Sequence, residues 1–195
     1  LHYINCSSQI ISQSTVTHPG KAYVFIAPAS VWYTKQFPEH KWIELIQKIG
    51  KQKLIFLTGG PSDAALCNRI MEKLPDYRIK NLCGQLNLLQ SAAFMREAEM
   101  NYVNDSAPMH LCSAVNAPVT AIYCSTVPEF GFGPLSTQSK VVQTQEQLAC
   151  RPCGLHGFKA CPKGHFNCAE TISPEQIIIL KRIVKSLFLP PRGND

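Results

Sequence analysis

Asn104-Asp105-Ser106-Ala107-Pro108-Met109-His110 is the stretch on which the reading of this chain turns. A strand pattern over Asn101 to Val103 runs straight into it and a helical pattern, Met109 to Val115, follows. The first amides of a helix lack internal partners and carry partial positive charge, so a short polar turn ahead of them is a seat for phosphate. Asp105 and Ser106 are good capping types, and Pro108 falls where its missing N–H is least needed. The turn therefore points to a nucleotide or nucleotide-sugar site, with a capped helix that holds no ligand as the plain alternative.

Working outward, short β-rich runs alternate with helical ones. Ala22 to Ala27 is followed by Pro38 to Lys51, Lys53 to Thr58 by Ser62 to Leu74, and Ile79 to Cys83 by Leu88 to Ala98; Met100 to Val103 leads into the helix already named, and Val119 to Tyr123 closes the series. Parallel strands need crossovers and bury both faces, so this alternation predicts an α/β, Rossmann-like parallel sheet with helices on both faces. Trp42, Leu45, Ile46 and Ile49 form one apolar helical stripe, and Leu66, Ile70 and Leu74 another. Residues 1–20 read as a linker or the end of a preceding domain, and residues 21–195 as the domain itself, with a cysteine-rich loop at 150–168 and a last helix over 174–189.

Composition sets the outer limits. A chain of 195 residues with 45% hydrophobic content suits one generous globular domain, and the start at Leu1 fits a piece of a longer polypeptide or a trimmed terminus. The late apolar run from 177 to 189 is broken by Lys181, Arg182 and Lys185, which argues against a membrane span and leaves at most peripheral association. Net charge is +6, from 19 basic and 13 acidic residues spread without a block; this favours anionic ligands and is too diffuse to predict nucleic-acid binding. Cys6, Cys67, Cys83, Cys112 and Cys124 lie scattered in apolar contexts, a usage that suits a reducing cytoplasm.

Ligands of open α/β sheets bind beyond the carboxyl ends of the strands. Three such loops carry suitable groups: Pro28-Ala29-Ser30 with Lys35, Thr58-Gly59-Gly60-Pro61-Ser62-Asp63, and the Asp105 to His110 turn. Lys35 would neutralise phosphate, Gly59 and Gly60 would allow close backbone approach, and Ser106 would donate to a phosphate oxygen. Alone, Lys35 is more often a solvated lysine, Asp63 also reads as a helix cap, and His110 also reads as a core histidine. No G-x-G-x-x-G follows the first strand and no P-loop motif exists. The chain also lacks Asp-x-Asp, so a diphosphate here would be held by helix amides, lysine and histidine rather than by a carboxylate-anchored Mg²⁺, and no catalytic cofactor is expected.

These pieces resemble the C-terminal domain of glycosyltransferase family 9, the ADP-heptose:lipopolysaccharide heptosyltransferases of Gram-negative bacteria. The likeness rests on Ser30 with Lys35-Gln36-Phe37-Pro38, Thr58-Gly59-Gly60 with Asp63, Asn81-Leu82-Cys83-Gly84, the 104–110 heptapeptide, and Pro118 to Tyr123 with Ser125-Thr126. The cysteine-rich tail resembles the heptosyltransferase II type. The resemblance implies the C-terminal half of a GT-B enzyme, binding an ADP-sugar donor, while an N-terminal half holds the lipopolysaccharide core acceptor and supplies the carboxylate base of an inverting transfer. It assigns Lys35 to the diphosphate side, Asp63 to the nucleoside or sugar, Leu86 to the base pocket, Asp105 to the heptose, and Ser106, the Ala107 amide and His110 to phosphate. No catalytic residue is expected in this chain, which would bind donor without turning it over alone. One departure stands out: the family usually has glycine where this chain has Ala107, then a residue with an N–H where it has Pro108, so a methyl crowds the phosphate approach and one donor is lost. Another GT-B transferase or a sugar-nucleotide epimerase is the neighbouring alternative.

The tail offers Cys150-x2-Cys153, Cys161 and Cys168 with His156 and His165 between them. A structural zinc, disulfides, and free thiols packing the loop all fit that pattern. With zinc bound, a nucleic-acid-binding module is the alternative of a different class.

Overall fold

The computed structural model describes residues 22–178. The expected linker at 1–20 lies outside them, as does the expected last helix beyond Ile178. The strands are β1 Tyr23–Ala27, β2 Leu54–Leu57, β3 Ile79–Asn81, β4 Met100–Asn104, β5 Val119–Tyr123 and β6 Ser139–Gln143. The helices are α1 Glu39–Ile49, α2 Ala64–Glu72, α3 Leu88–Glu97, α4 Ala107–Ala114, α5 Asn167–Glu170 and α6 Pro174–Ile178. All strand pairs are parallel, and the sheet runs β3-β2-β1-β4-β5-β6. The chain leaves β1 in one direction for β2 and β3, then returns to the other side of β1 for β4, so the order reverses between β1 and β4.

Side-chain alternation along the central strands divides the interior into two cores. On β1, Val24 and Ile26 face one side with Ile55 and Leu57 of β2, while Tyr23, Phe25 and Ala27 face the other with Phe56. The first face is covered by Trp42, Leu45 and Ile46 of α1, Cys67 and Ile70 of α2, and Ile177 of α6. The second is covered by Phe94 and Met95 of α3 and by Met109 and Cys112 of α4. Strands buried on both faces carry near-continuous apolar runs, which is why Tyr-Val-Phe-Ile-Ala and Leu-Ile-Phe-Leu read so clearly.

Element ends follow from local chemistry. Asn87 accepts from the Gln90 amide (2.9 Å) and the Gln90 side chain accepts from the Asn87 amide (3.0 Å), a reciprocal cap that starts α3. Gly84, with φ +71°, turns the chain after β3 so tightly that a Cβ there would lie 3.1 Å from the Pro61 ring. Strand β6 escapes the sequence pattern because it is an edge strand in which only Val142 is buried. It pairs with β5 from Val119↔Ser139 to Tyr123↔Gln143.

The second core is knit by aromatic rings: Phe94 meets Phe56 edge-on at 5.9 Å between centroids and lies 6.2 Å from Phe25 and from Tyr23. Truncating Phe94 to alanine removes a fully buried ring from this cluster, and a loss of about 3–5 kcal/mol is expected in urea unfolding.

Candidate functional site

At the carboxyl ends of β1, β2 and β4 the loops part around a cleft of about 610 Å³, where the strand order reverses. Four segments wall it: 27–31 after β1, 58–63 after β2, the turn and first half of α3 around Leu86, Leu88 and Ser91, and the start of α4 from Ser106 to Leu111. Polar groups come from the β2 and β4 turns and apolar surface from Val31, Leu86 and Leu88, a combination suited to a flat ring attached to an anion.

The helix start is open on the cleft side. Ser106 is the N-cap of α4 with extended backbone, yet its side chain makes no cap bond; the hydroxyl donates instead to the Asn104 carbonyl at 3.3 Å. The Met109 amide turns back to the Ser106 carbonyl at 3.0 Å, and Pro108 has no N–H. The Ala107 amide therefore stands at the mouth of the helix with its dipole directed outward.

Of the residues singled out from sequence, Ser30, Asp63, Leu86, Ser106 and Ala107 line this cleft. Lys35, Asp105 and His110 do not. Lys35 Nζ lies 2.7 Å from Asp105 Oδ2, and the same carboxylate accepts a hydrogen bond from Thr126 Oγ1 at 2.6 Å, so the two charges hold each other beneath the loop. His110 is exposed on the first turns of α4 with its ring edge-on to Phe132. Asp63 accepts from the Gly60 amide at 2.8 Å and closes the β2 turn. Its carboxylate fills the space where a Cβ on Gly59 would go, at 2.5 Å, so Gly59 is required by the turn's own packing.

The residue that joins these loops is one that sequence reading left out of the site. Asn104 is fully buried at the end of β4; its amide nitrogen donates to the Pro28 and Ala29 carbonyls (2.9 and 3.2 Å), and its oxygen accepts from the Phe37 amide (2.9 Å). Thr34 and Arg151 were also left out. Thr34 Oγ1 accepts from the Phe158 amide (2.8 Å), while its own amide donates to the Phe158 carbonyl (3.1 Å). Arg151 donates to the carbonyls of Cys124 (2.8 Å) and Thr126 (2.7 Å) and to Gln143 Oε1 (2.8 Å), and burial lowers the pKa of its guanidinium. These contacts clamp the cysteine-rich loop onto the carboxyl end of β5 and the β1 loop.

All eight described cysteines are free thiols. Cys168 is buried in the first core and burial pushes its thiol up to about 11; Cys150 Sγ lies 3.9 Å from His165 Nε2. Among the described residues no group of three or more His, Cys, Asp or Glu side chains stands in a metal-holding arrangement.

Comparison with known proteins follows the same lines. The sequence model of glycosyltransferase family 9 (heptosyltransferase) matches residues 5–156. The chain belongs to glycosyltransferase family 9. Among curated family members, lipooligosaccharide heptosyltransferase 2 of Campylobacter jejuni serotype O:6 is 30% identical over 138 residues, 65% of this chain and 39% of the relative. Lipopolysaccharide heptosyltransferase 2 of Escherichia coli K12 is 29% identical over 115 residues, 56% of this chain and 32% of the relative. The fold matches E. coli ADP-heptose LPS heptosyltransferase II at a TM-score of 0.72 and 20% identity, covering 94% of this chain and 52% of that one. It also matches E. coli heptosyltransferase WaaC with ADP-2-deoxy-2-fluoro heptose at 0.63 and 18%, covering 94% and 48%. This family member thus spans about half the length of the solved relatives it resembles and less of the curated ones.

Replacing Asn104 by alanine strands the Phe37 amide and two carbonyls in a buried place. The expected cost is about 1–3 kcal/mol in urea unfolding, and Asn104→Asp, which can accept from Phe37 but repels the two carbonyls, should not restore it.

Proposed function

We propose that this chain is the donor-binding half of an inverting glycosyltransferase that moves heptose from ADP-heptose to the inner core of lipopolysaccharide. The observation that carries the proposal is the cleft at the reversal of strand order, with an apolar wall on one side and an uncapped helix start on the other, in a member of family 9. Two structures of one relative support the choice of ligand. One solved heptosyltransferase carries ADP and another structure of it carries a fluorinated ADP-heptose.

In this reading the adenine lies against Leu86 and Leu88, and the diphosphate reaches the mouth of α4. The Ala107 amide donates to it, the Ser106 hydroxyl turns from the Asn104 carbonyl to do the same, and His110 approaches from the outer side of the same helix. As the bond to the anomeric carbon breaks, negative charge gathers on the departing diphosphate, and donors fixed in advance against that charge lower the barrier. Pro108 gives no amide, which raises the share carried by Ser106 and His110. Asp105 and Lys35, paired beneath the loop and outside the cleft lining, hold this turn in place for the sugar and the diphosphate. With no Asp-x-Asp in the sequence, the diphosphate is neutralised without a carboxylate-anchored cation.

The attacking hydroxyl of the acceptor needs a base, which we place in an N-terminal half together with the acceptor site. The chain alone would bind donor and not transfer it. No described helix is long and apolar enough to cross a membrane, and we place the reaction in the cytoplasm against the inner face of the inner membrane, where peripheral contact suffices. A diffuse positive charge with no basic stripe gives no support for nucleic acid as a partner.

Calorimetric titration with ADP and ADP-heptose tests this directly. Leu86→Asp, which sets a carboxylate against the base, Lys35→Ala, which leaves the Asp105 carboxylate uncompensated beside the turn, and His110→Ala should each weaken binding by about tenfold, the order expected for one misplaced charge or one lost charge-assisted contact. Unchanged affinity in all three would remove the site from this cleft.

A further inference from the structure

Cys67 and Cys83 face each other inside the first core with their sulfurs 3.3 Å apart. Cys67 projects from α2 and is fully buried; Cys83 lies just after β3 and is 9% exposed, which leaves it a narrow opening to small reactants. The two thiols share one S–H···S contact; the sharing lowers the pKa of Cys83, whereas it and burial raise that of Cys67. One sulfur is thus set up to lose its proton first and the other to follow, the asymmetry that a thiol pair needs to react in sequence.

The pair lies directly behind the cleft. Cys83 is followed by Gly84, whose amide donates to the Gly59 carbonyl at 3.0 Å and whose Cα leaves no room for a side chain against Pro61. Cys67 sits in the first turns of the helix that Asp63 precedes. The two sulfurs therefore bridge the two turns that form one wall of the cleft.

We infer that Cys67 and Cys83 are an oxidation site, forming a disulfide on exposure to a peroxide and tying the turn after β3 to α2 behind the cleft. The Cys83 thiolate attacks one peroxide oxygen, breaking the O–O bond and releasing water after protonation, and becomes a sulfenic acid. Cys67 sulfur then attacks the sulfenic sulfur and displaces its hydroxyl, which leaves as a second water with the Cys67 proton. Two thiols and hydrogen peroxide become one disulfide and two waters. A dithiol such as dithiothreitol reverses the change. Closing the gap from 3.3 Å to a bonded separation of about 2 Å moves Cys83 toward α2 and draws Gly84 with it, away from the position that fits Pro61 and Gly59.

The whole chain is treated with hydrogen peroxide, alkylated, digested without reductant and mapped by mass spectrometry. The expected result is a linked pair of peptides joining Cys67 to Cys83, two hydrogens lighter than their sum, lost on dithiothreitol treatment and lost in Cys83→Ser. Oxidation is also expected to slow amide hydrogen exchange over residues 82–86 in the native chain and to leave it unaltered in Cys83→Ser. Peptides in which Cys67 and Cys83 stay alkylated, or are found bonded only to cysteines of the 150–168 loop, would overturn the inference.

The effect on the cleft rests on the nucleotide reading. ADP affinity should fall several-fold on oxidation and recover on reduction. Affinity that does not change although the linked peptide forms would overturn the coupling to the cleft. Failure of ADP to bind the reduced chain would count against the nucleotide reading alone, because the peptide map decides the thiol chemistry without it.

Discussion

One carboxamide holds the ligand end of this fold together. Asn104 ends the strand next to β1 and meets three backbone groups that the β1 loop would otherwise bury without partners, two carbonyls and an amide. A carboxamide has two donors and a carbonyl acceptor, so one planar group satisfies a loop that must leave the sheet, cross the top of β4 and enter α1. With that loop fixed, Ser30 and Val31 face the cleft, Thr34 accepts from the Ser125 hydroxyl, and Lys35 is delivered to the Asp105 carboxylate. Aspartate would accept from Phe37 but repel the two carbonyls, and an apolar side chain would strand all three groups.

The buried charges around Asp105 follow from the same economy. Lys35 and Asp105 are each largely withdrawn from water and are tolerable only as a pair, with Thr126 supplying a further donor to the carboxylate. Arg151 instead directs its donors to the carbonyls of Tyr123, Cys124 and Thr126 around the end of β5 and to Gln143 Oε1. Both arrangements tie loops from distant parts of the sequence to strand ends, so the polar surface of the cleft is presented by a rigid frame.

The parallel sheet was legible because β1, β2 and β5 are buried on both faces and read as unbroken apolar runs, and because α1 carries a clear stripe through Trp42, Leu45 and Ile46. Strand β6 was not legible: Ser-Lys-Val-Val-Gln at a sheet edge buries one side chain and gives no period to find. The heptapeptide at 104–110 announced a turn into a helix, and the turn is there, but the partners of its side chains could not be read from type alone. Ser106 looks like a cap and does not act as one, and Asp105 looks like a capping acid and is paired with Lys35, a partner 70 positions away in the chain. The roles of Asn104, Thr34 and Arg151 were hidden for the same reason, since each depends on contacts between residues far apart in sequence.

The cysteine-rich loop is fastened at definite points. Arg151 and the Cys153 amide bind the end of β5, Phe158 exchanges two hydrogen bonds with Thr34, and Phe166 re-enters the core, stacking on Tyr33 at 5.2 Å. Gly157 leaves no space for a Cβ beside Thr34, at 2.9 Å, so the docking point itself admits no larger residue. Between Phe158 and Phe166 the chain bears few such restraints. A change of charge at exposed Lys159 or Lys163 within that span touches neither clamp, so both keep their register.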